Sequence, residues 1–135
     1  IATLRIESLV HIKGYMPRKH LMIYLRDNAD LVIMPSFSEG LSLAALEALM
    51  FGKPLLCSDI PSFKDVVIDG YNGFLCDPKD YRSFGDKLYK LWKDRNLLAE
   101  MANNARNSFK WHFNSELMGK LYFDLYEGLM TNAYY

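Results

Sequence analysis

Two carboxylates, Glu39 and Glu47, stand with seven residues between them in the stretch from Pro35 to Gly52, PSFSEGLSLAALEALMFG. Between Leu41 and Phe51 only Ser42 and Glu47 are polar, so the segment reads as a helix apolar almost all round and buried. A carboxylate there is costly unless something pairs with it. Sugar hydroxyls in a cleft would serve Glu47. So would an Arg or Lys of the same fold, or an escape of the side chain to water. Glu39 has two readings as well. Ser36-x-x-Glu39 fits a capping box, in which serine and acid close a helix start; alternatively the acid faces a ligand. The N–H groups of Leu41 to Leu43 open the helix, and a helix start of this kind suits an anion, phosphate above all.

The elements that must position these groups follow from the flanks. The apolar run 31–34 has the length of a buried strand and stops at Pro35. Gly52 closes the helix as glycine commonly does just past a helix end. Strand, sharp turn, helix is the resulting unit. In an open α/β sheet it sets the turn at the carboxyl edge, where ligands bind.

Taken in order, residues 1–8 read as the tail of a helix or a linker, and residues 8–15 as a strand stopped by Pro17. Residues 18–29 carry a modest helical stripe at Leu21, Tyr24 and Leu25. Residues 54–57 and 73–76 read as short strands, and residues 62–68 as a short helix before the Asp69-Gly70 turn. Asn72-Gly73 reads as a second ordinary turn pair. Strands alternating with helices predict a parallel sheet of three or four strands over residues 1–76. Residues 77–135 change to helix alone. Asp77-Pro78 is expected to start the first helix, with an apolar stripe at 81, 84, 88, 91 and 92. A second starts near Asp94, and a third follows Asn114 with Met118, Leu121, Tyr122, Leu125 and Leu129. These stripes are read as core, and their aromatic residues as packing.

Sixteen basic and sixteen acidic residues cancel in a chain of 135, enough for one domain with a real core. Nothing in charge or patterning favours nucleic acid. No run approaches the ~18 apolar residues of a spanning helix. The start, Ile1-Ala2-Thr3-Leu4-Arg5, has neither a signal-peptide pattern nor an initiator methionine, which reads as a piece of a longer protein. Cys57 and Cys76 are expected as buried reduced thiols in a cytoplasmic setting, a disulfide being possible but unneeded. The histidines, His11, His20 and His112, are scattered, and no residue cluster has metal-ligand spacing.

Glu39 and Glu47 sit within P-S-x-x-E-G-x-x-x-x-x-L-E-A-x-x-x-G-x-P. With Ser58 to Val67, the Asp69-Gly70-Tyr71-Asn72-Gly73-Phe74-Leu75 segment and Val10-His11-Ile12-Lys13-Gly14-Tyr15, this resembles family 4 of the retaining glycosyltransferases. The likeness covers nearly the whole chain. It implies the second half of the C-terminal, Rossmann-like donor domain of a GT-B protein, truncated at its N-terminal side. Trp111 falls where the family often carries a tryptophan. By that resemblance Glu47 would accept hydrogen bonds from a ribose, and Glu39 would hold the hydroxyls of the donor sugar. N–H groups of Gly40, Leu41, Ser42 and Leu43 would face the diphosphate, and Gly14 and Tyr15 would lie by the base. Leu41-Ser42 replaces the family's common Phe-Gly, so the Ser42 side chain stands where the backbone would approach the diphosphate.

The implied activity is transfer from a nucleotide sugar such as a UDP- or GDP-sugar to a glycan, a lipid-linked sugar or another acceptor, as in polysaccharide biosynthesis. No metal or other cofactor is implied. The acceptor would be held by an N-terminal domain outside this chain, with the full-length protein at the inner face of the membrane. The chain alone would be inactive and prone to self-associate through its open sheet edge. Two other classes stand beside this one: a non-catalytic GT-B-like binding or assembly module, and a GT-B-fold epimerase or phosphorylase.

Overall fold

A computed structural model describes residues 5–132. The first four residues of the expected N-terminal tail lie outside the described residues; within them a turn of 3-10 helix covers Glu7–Leu9. Helix α1 spans Arg18–Asn28, strand β1 Val32–Met34, helix α2 Leu43–Met50 and strand β2 Leu55–Ser58. A one-turn helix α3, Pro61–Lys64, and strand β3, Gly73–Cys76, complete the α/β part. Three longer helices follow, α4 Tyr81–Lys93, α5 Arg95–His112 and α6 Ser115–Asn132.

The sheet is parallel and three-stranded in the order β1-β2-β3, with Ile33 opposite Leu56 and Leu56 opposite Phe74. The short strands are almost wholly apolar because helices cover both faces. On one face Leu55 and Cys57 pack with Ala45, Ala48 and Leu49 of α2, Phe63 of α3 and Ala105 of α5. On the other, Leu56, Phe74 and Cys76 pack with Leu91 of α4 and Leu98 and Met101 of α5. Cys57 and Cys76 therefore belong to opposite layers, and both are free thiols. Gly73 is demanded by the pairing itself: a Cβ there would lie 2.2 Å from the carbonyl oxygen of Leu55.

Asn72 does more than turn the chain. Fully buried, it accepts from the N–H of Ile68 and donates to the Val66 carbonyl and to Ser108 Oγ on α5. One amide thus ties the loop before β3 to a helix made 36 residues later.

Four expectations are corrected. The strand expected over residues 8–15 is not formed: a 3-10 turn ends at Leu9 and residues 10–15 are exposed, with no described strand beside them to complete a ladder. Helix α4 starts after Asp80, whose Oδ1 accepts from the N–H groups of Arg82 and Ser83; Asp77 instead closes a turn onto the N–H of Lys79. The stripes are core only in part. Leu91 is buried, but Tyr81, Trp92 and Trp111 are exposed, and α6 has no buried residue among those described. Finally, α2 is not buried all round: Leu43, Ala44 and Met50 are exposed while Ala45, Ala48 and Leu49 are covered.

Candidate functional site at the carboxyl edge of the sheet

Strand β1 ends at Met34, and residues 35–42 cross the carboxyl edge before α2 begins. Helix α2 is anchored firmly at its far end. The N–H of Lys53 bonds the Ala48 carbonyl and that of Gly52 the Leu49 carbonyl, the paired bonds of a glycine-terminated helix. Gly52 has φ +67°, and α5 crosses so closely that a Cβ there would lie 3.0 Å from the Ala102 carbonyl oxygen. Fixed at its C-terminus and along its buried side, α2 presents its start at a set place.

That start is open. The N–H groups of Gly40, Leu41, Ser42, Leu43 and Ala44 meet no acceptor among the described residues. Ser42 occupies the cap position but its hydroxyl caps nothing, and the residue is buried. Its side chain is therefore tucked in rather than standing in the path of an approaching anion. Leu41 and Leu43 on either side are exposed.

Glu39 is exposed and accepts a hydrogen bond of 2.8 Å from Ser36 Oγ. The capping-box reading is not realised, because α2 begins at Leu43 and neither residue reaches its N–H groups. The serine instead braces the acid within the turn. Glu39 also lies near enough to Cys57 for its charge to disfavour the thiolate. Burial first, then Cys76 and Glu39, push the Cys57 thiol up to about 12.

Glu47 is one turn into α2, with 19% of its side chain exposed. Its partner is Arg18, whose Nη2 donates to Glu47 Oε1. Of the alternatives open for this acid, an Arg of the same fold is thus what it meets in this structure. Sequence reasoning did not name Arg18: it is 29 residues away, and nothing local joins the two. Arg18 opens α1, so it follows closely on Gly14, at φ +64°, and Tyr15, which is 93% exposed. The pair brings the 14–18 segment toward α2, while neither Gly14 nor Tyr15 makes a hydrogen bond to Glu39 or Glu47. Ser58 Oγ, buried at the carboxyl end of β2, has no hydrogen-bond partner among the described residues.

Among the described residues no group of three or more His, Cys, Asp or Glu side chains could hold a metal ion. No described helix is long and apolar enough to cross a membrane.

Known proteins resemble this chain in sequence and fold. The chain is 25% identical over 119 residues to N,N'-diacetylbacillosaminyl-diphospho-undecaprenol alpha-1,3-N-acetylgalactosaminyltransferase of Campylobacter jejuni, covering 88% of this chain and 31% of that protein. It is 33% identical over 113 residues to D-inositol 3-phosphate glycosyltransferase of Nocardia farcinica, covering 82% and 25%. Among solved structures, a Staphylococcus aureus TarM mutant superposes with a TM-score of 0.82 at 26% identity, covering 92% of this chain and 25% of that one. The chain spans about a quarter to a third of the length of these curated relatives. Residues 1–108 match the family model described as glycosyl transferases group 1, and the chain belongs to that family of GT-B-fold glycosyltransferases.

Proposed function

We propose that this chain is the nucleotide-sugar-binding portion of a retaining glycosyltransferase. The observation that carries the reading is the helix start of α2: N–H groups without acceptors, flanked by Glu39 in the turn and Glu47 one turn on, at the carboxyl edge of a parallel sheet. The diphosphate would take the N–H groups of Gly40 to Leu43. Glu47 would accept from the ribose hydroxyls, Glu39 from those of the donor sugar, and Gly14 and Tyr15 would lie along the base. The TarM structure contains UDP with α-GlcNAc-glycerol and fondaparinux, which supports a nucleotide and a sugar acceptor as the two ligand classes.

In the reaction, the bond from the sugar's anomeric carbon to the diphosphate breaks and the nucleoside diphosphate leaves. An acceptor hydroxyl forms the new bond on the same face, and its proton passes to a phosphate oxygen of the departing group. The chain's part is positioning and charge stabilisation. Glu39, held by Ser36, fixes the sugar ring. The N–H groups of the α2 start receive negative charge as it grows on the leaving phosphate. Cation contacts to the diphosphate and the acceptor site would come from outside this chain.

Glu47→Gln tests the reading. The amide keeps the size and removes the charge that strengthens two ribose hydrogen bonds, so nucleotide binding by the full-length protein should weaken by ~1.5–3 kcal/mol. Wild-type affinity in titration calorimetry would sink the ribose role. Incubation with UDP-, GDP- and ADP-sugars, followed by separation of products, distinguishes transfer from epimerisation, phosphorolysis or binding alone. The isolated chain should show at most millimolar nucleotide binding, no turnover, and self-association in sedimentation.

A further inference from the structure

The acid assigned to the ribose is already engaged, and by a residue that no motif includes. We propose that Arg18 is a positioning residue for nucleotide-sugar binding: it holds the Glu47 carboxylate in a fixed orientation, and stays in place when the ribose arrives. This rests on the ribose role of Glu47.

The geometry leaves room for both partners. Arg18 uses one of the five N–H donors of its guanidinium, and it reaches one carboxylate oxygen, Oε1. Oε2 has no hydrogen-bond partner among the described residues, and Oε1 retains a second lone pair. A vicinal diol can therefore bond both oxygens without displacing the guanidinium. In the pair the acid is mostly covered and the Arg18 side chain is 79% exposed.

Such a pair contributes little while water reaches it. A nucleotide laid across it excludes that water, and the same contact then strengthens because the local dielectric falls. The effect of Arg18 is thus expected in the bound state rather than in stability. Location adds a second argument. Arg18 follows the segment assigned to the base by three residues, and α1 has no buried residue that would hold it to the sheet. The ion pair fastens that segment to α2, so base and ribose contacts are set in one framework.

The test is titration of the full-length protein with UDP, GDP and ADP, and with the 2′-deoxy form of whichever binds. Arg18→Ala should weaken binding roughly tenfold, and the preference for ribose over 2′-deoxyribose should shrink with it. Arg18→Lys, which keeps the charge but not the fork, should recover part of the loss. In a Glu47→Gln background Arg18→Ala should add less than about twofold, because its partner's charge is gone. Melting temperatures should match wild type throughout.

Binding by Arg18→Ala that is unchanged or tighter would overturn the proposal, tighter binding meaning that Arg18 merely occupies the acid. An equal loss in the Glu47→Gln background would overturn it too, since Arg18 would then act elsewhere. If Glu47→Gln itself binds as wild type, the ribose role fails. If Glu47→Gln weakens binding and Arg18→Ala does not, the role of Arg18 alone fails.

Discussion

Helices α2 and α6 carry the same signal and meet opposite fates. Both are rich in apolar side chains. In α2 the residues Ala45, Ala48 and Leu49 are fully buried against β2 and α5. In α6 Met118, Leu121, Tyr122, Phe123, Leu125, Tyr126, Leu129 and Met130 all remain exposed. An apolar stripe states which face of a helix prefers cover; it does not state what supplies the cover. For α2 the supplier is in the chain, as α5 arrives with Ala105, Phe109 and the close crossing at Gly52. For α6 none of the described residues encloses that face. Leu41, in the turn before α2, and Leu46 of α2 approach its near side across an apolar groove of about 600 Å³.

Substitutions can break or sharpen this contrast. Leu49→Ala, in the covered helix, should cost ~2–5 kcal/mol through lost contacts and the cavity left behind, read as a lower denaturant midpoint at constant slope. Asn72→Ala should come next, at ~1–3 kcal/mol, because the Val66 carbonyl, the Ile68 N–H and Ser108 Oγ are left without their partner.

The Cys57 thiol gives a smaller, pH-dependent effect. Its folded pKa, at about 12, is raised above the unfolded value. Its contribution is therefore fully present below about pH 8.5 and falls as the unfolded thiol ionises, by up to ~1.4 kcal/mol per pH unit. Comparing unfolding at pH 8 and pH 10 in wild type and Cys57→Ala isolates it. A wild-type protein that loses no more than the variant would contradict the buried thiol.

Leu125→Ala, on the open helix, should change the stability of the chain by no more than ~0.5 kcal/mol. If it costs as much as Leu49→Ala, α6 is covered after all, and the contrast fails.

How far the sequence could be read follows from the range of the forces involved. Local signals were legible. Asp94 and Asn114 each accept from an N–H three residues on, as helix-starting residues do, and α5 and α6 begin beside them. Strand β3 falls where it was expected, at Gly73–Cys76. The unit of β1, turn and α2 was legible too, because a proline and a glycine mark its ends. Competition between equally good local signals was not: Asp77-Pro78 and Asp80 both announce a helix, and Asp80 wins. Partners distant in sequence were not legible either. Residues 10–16 have a strand's composition but no described neighbour to pair with. Glu47 required a partner, and the sequence could not select Arg18 from sixteen basic residues.

The order in which the chain is made gives the Asn72–Ser108 bond and the α2–α5 packing a further meaning. Every strand, and both acids of the candidate site, leave the ribosome before α5 exists. Until Ala105 and Ser108 have emerged, α2 has only β2 and α3 to lie on, and the amide of Asn72 lacks its last partner. A nascent chain that has passed β3 thus contains every proposed ligand-binding group and still lacks the helix that packs across α2. The site is assembled from behind, by a helix that would touch no substrate.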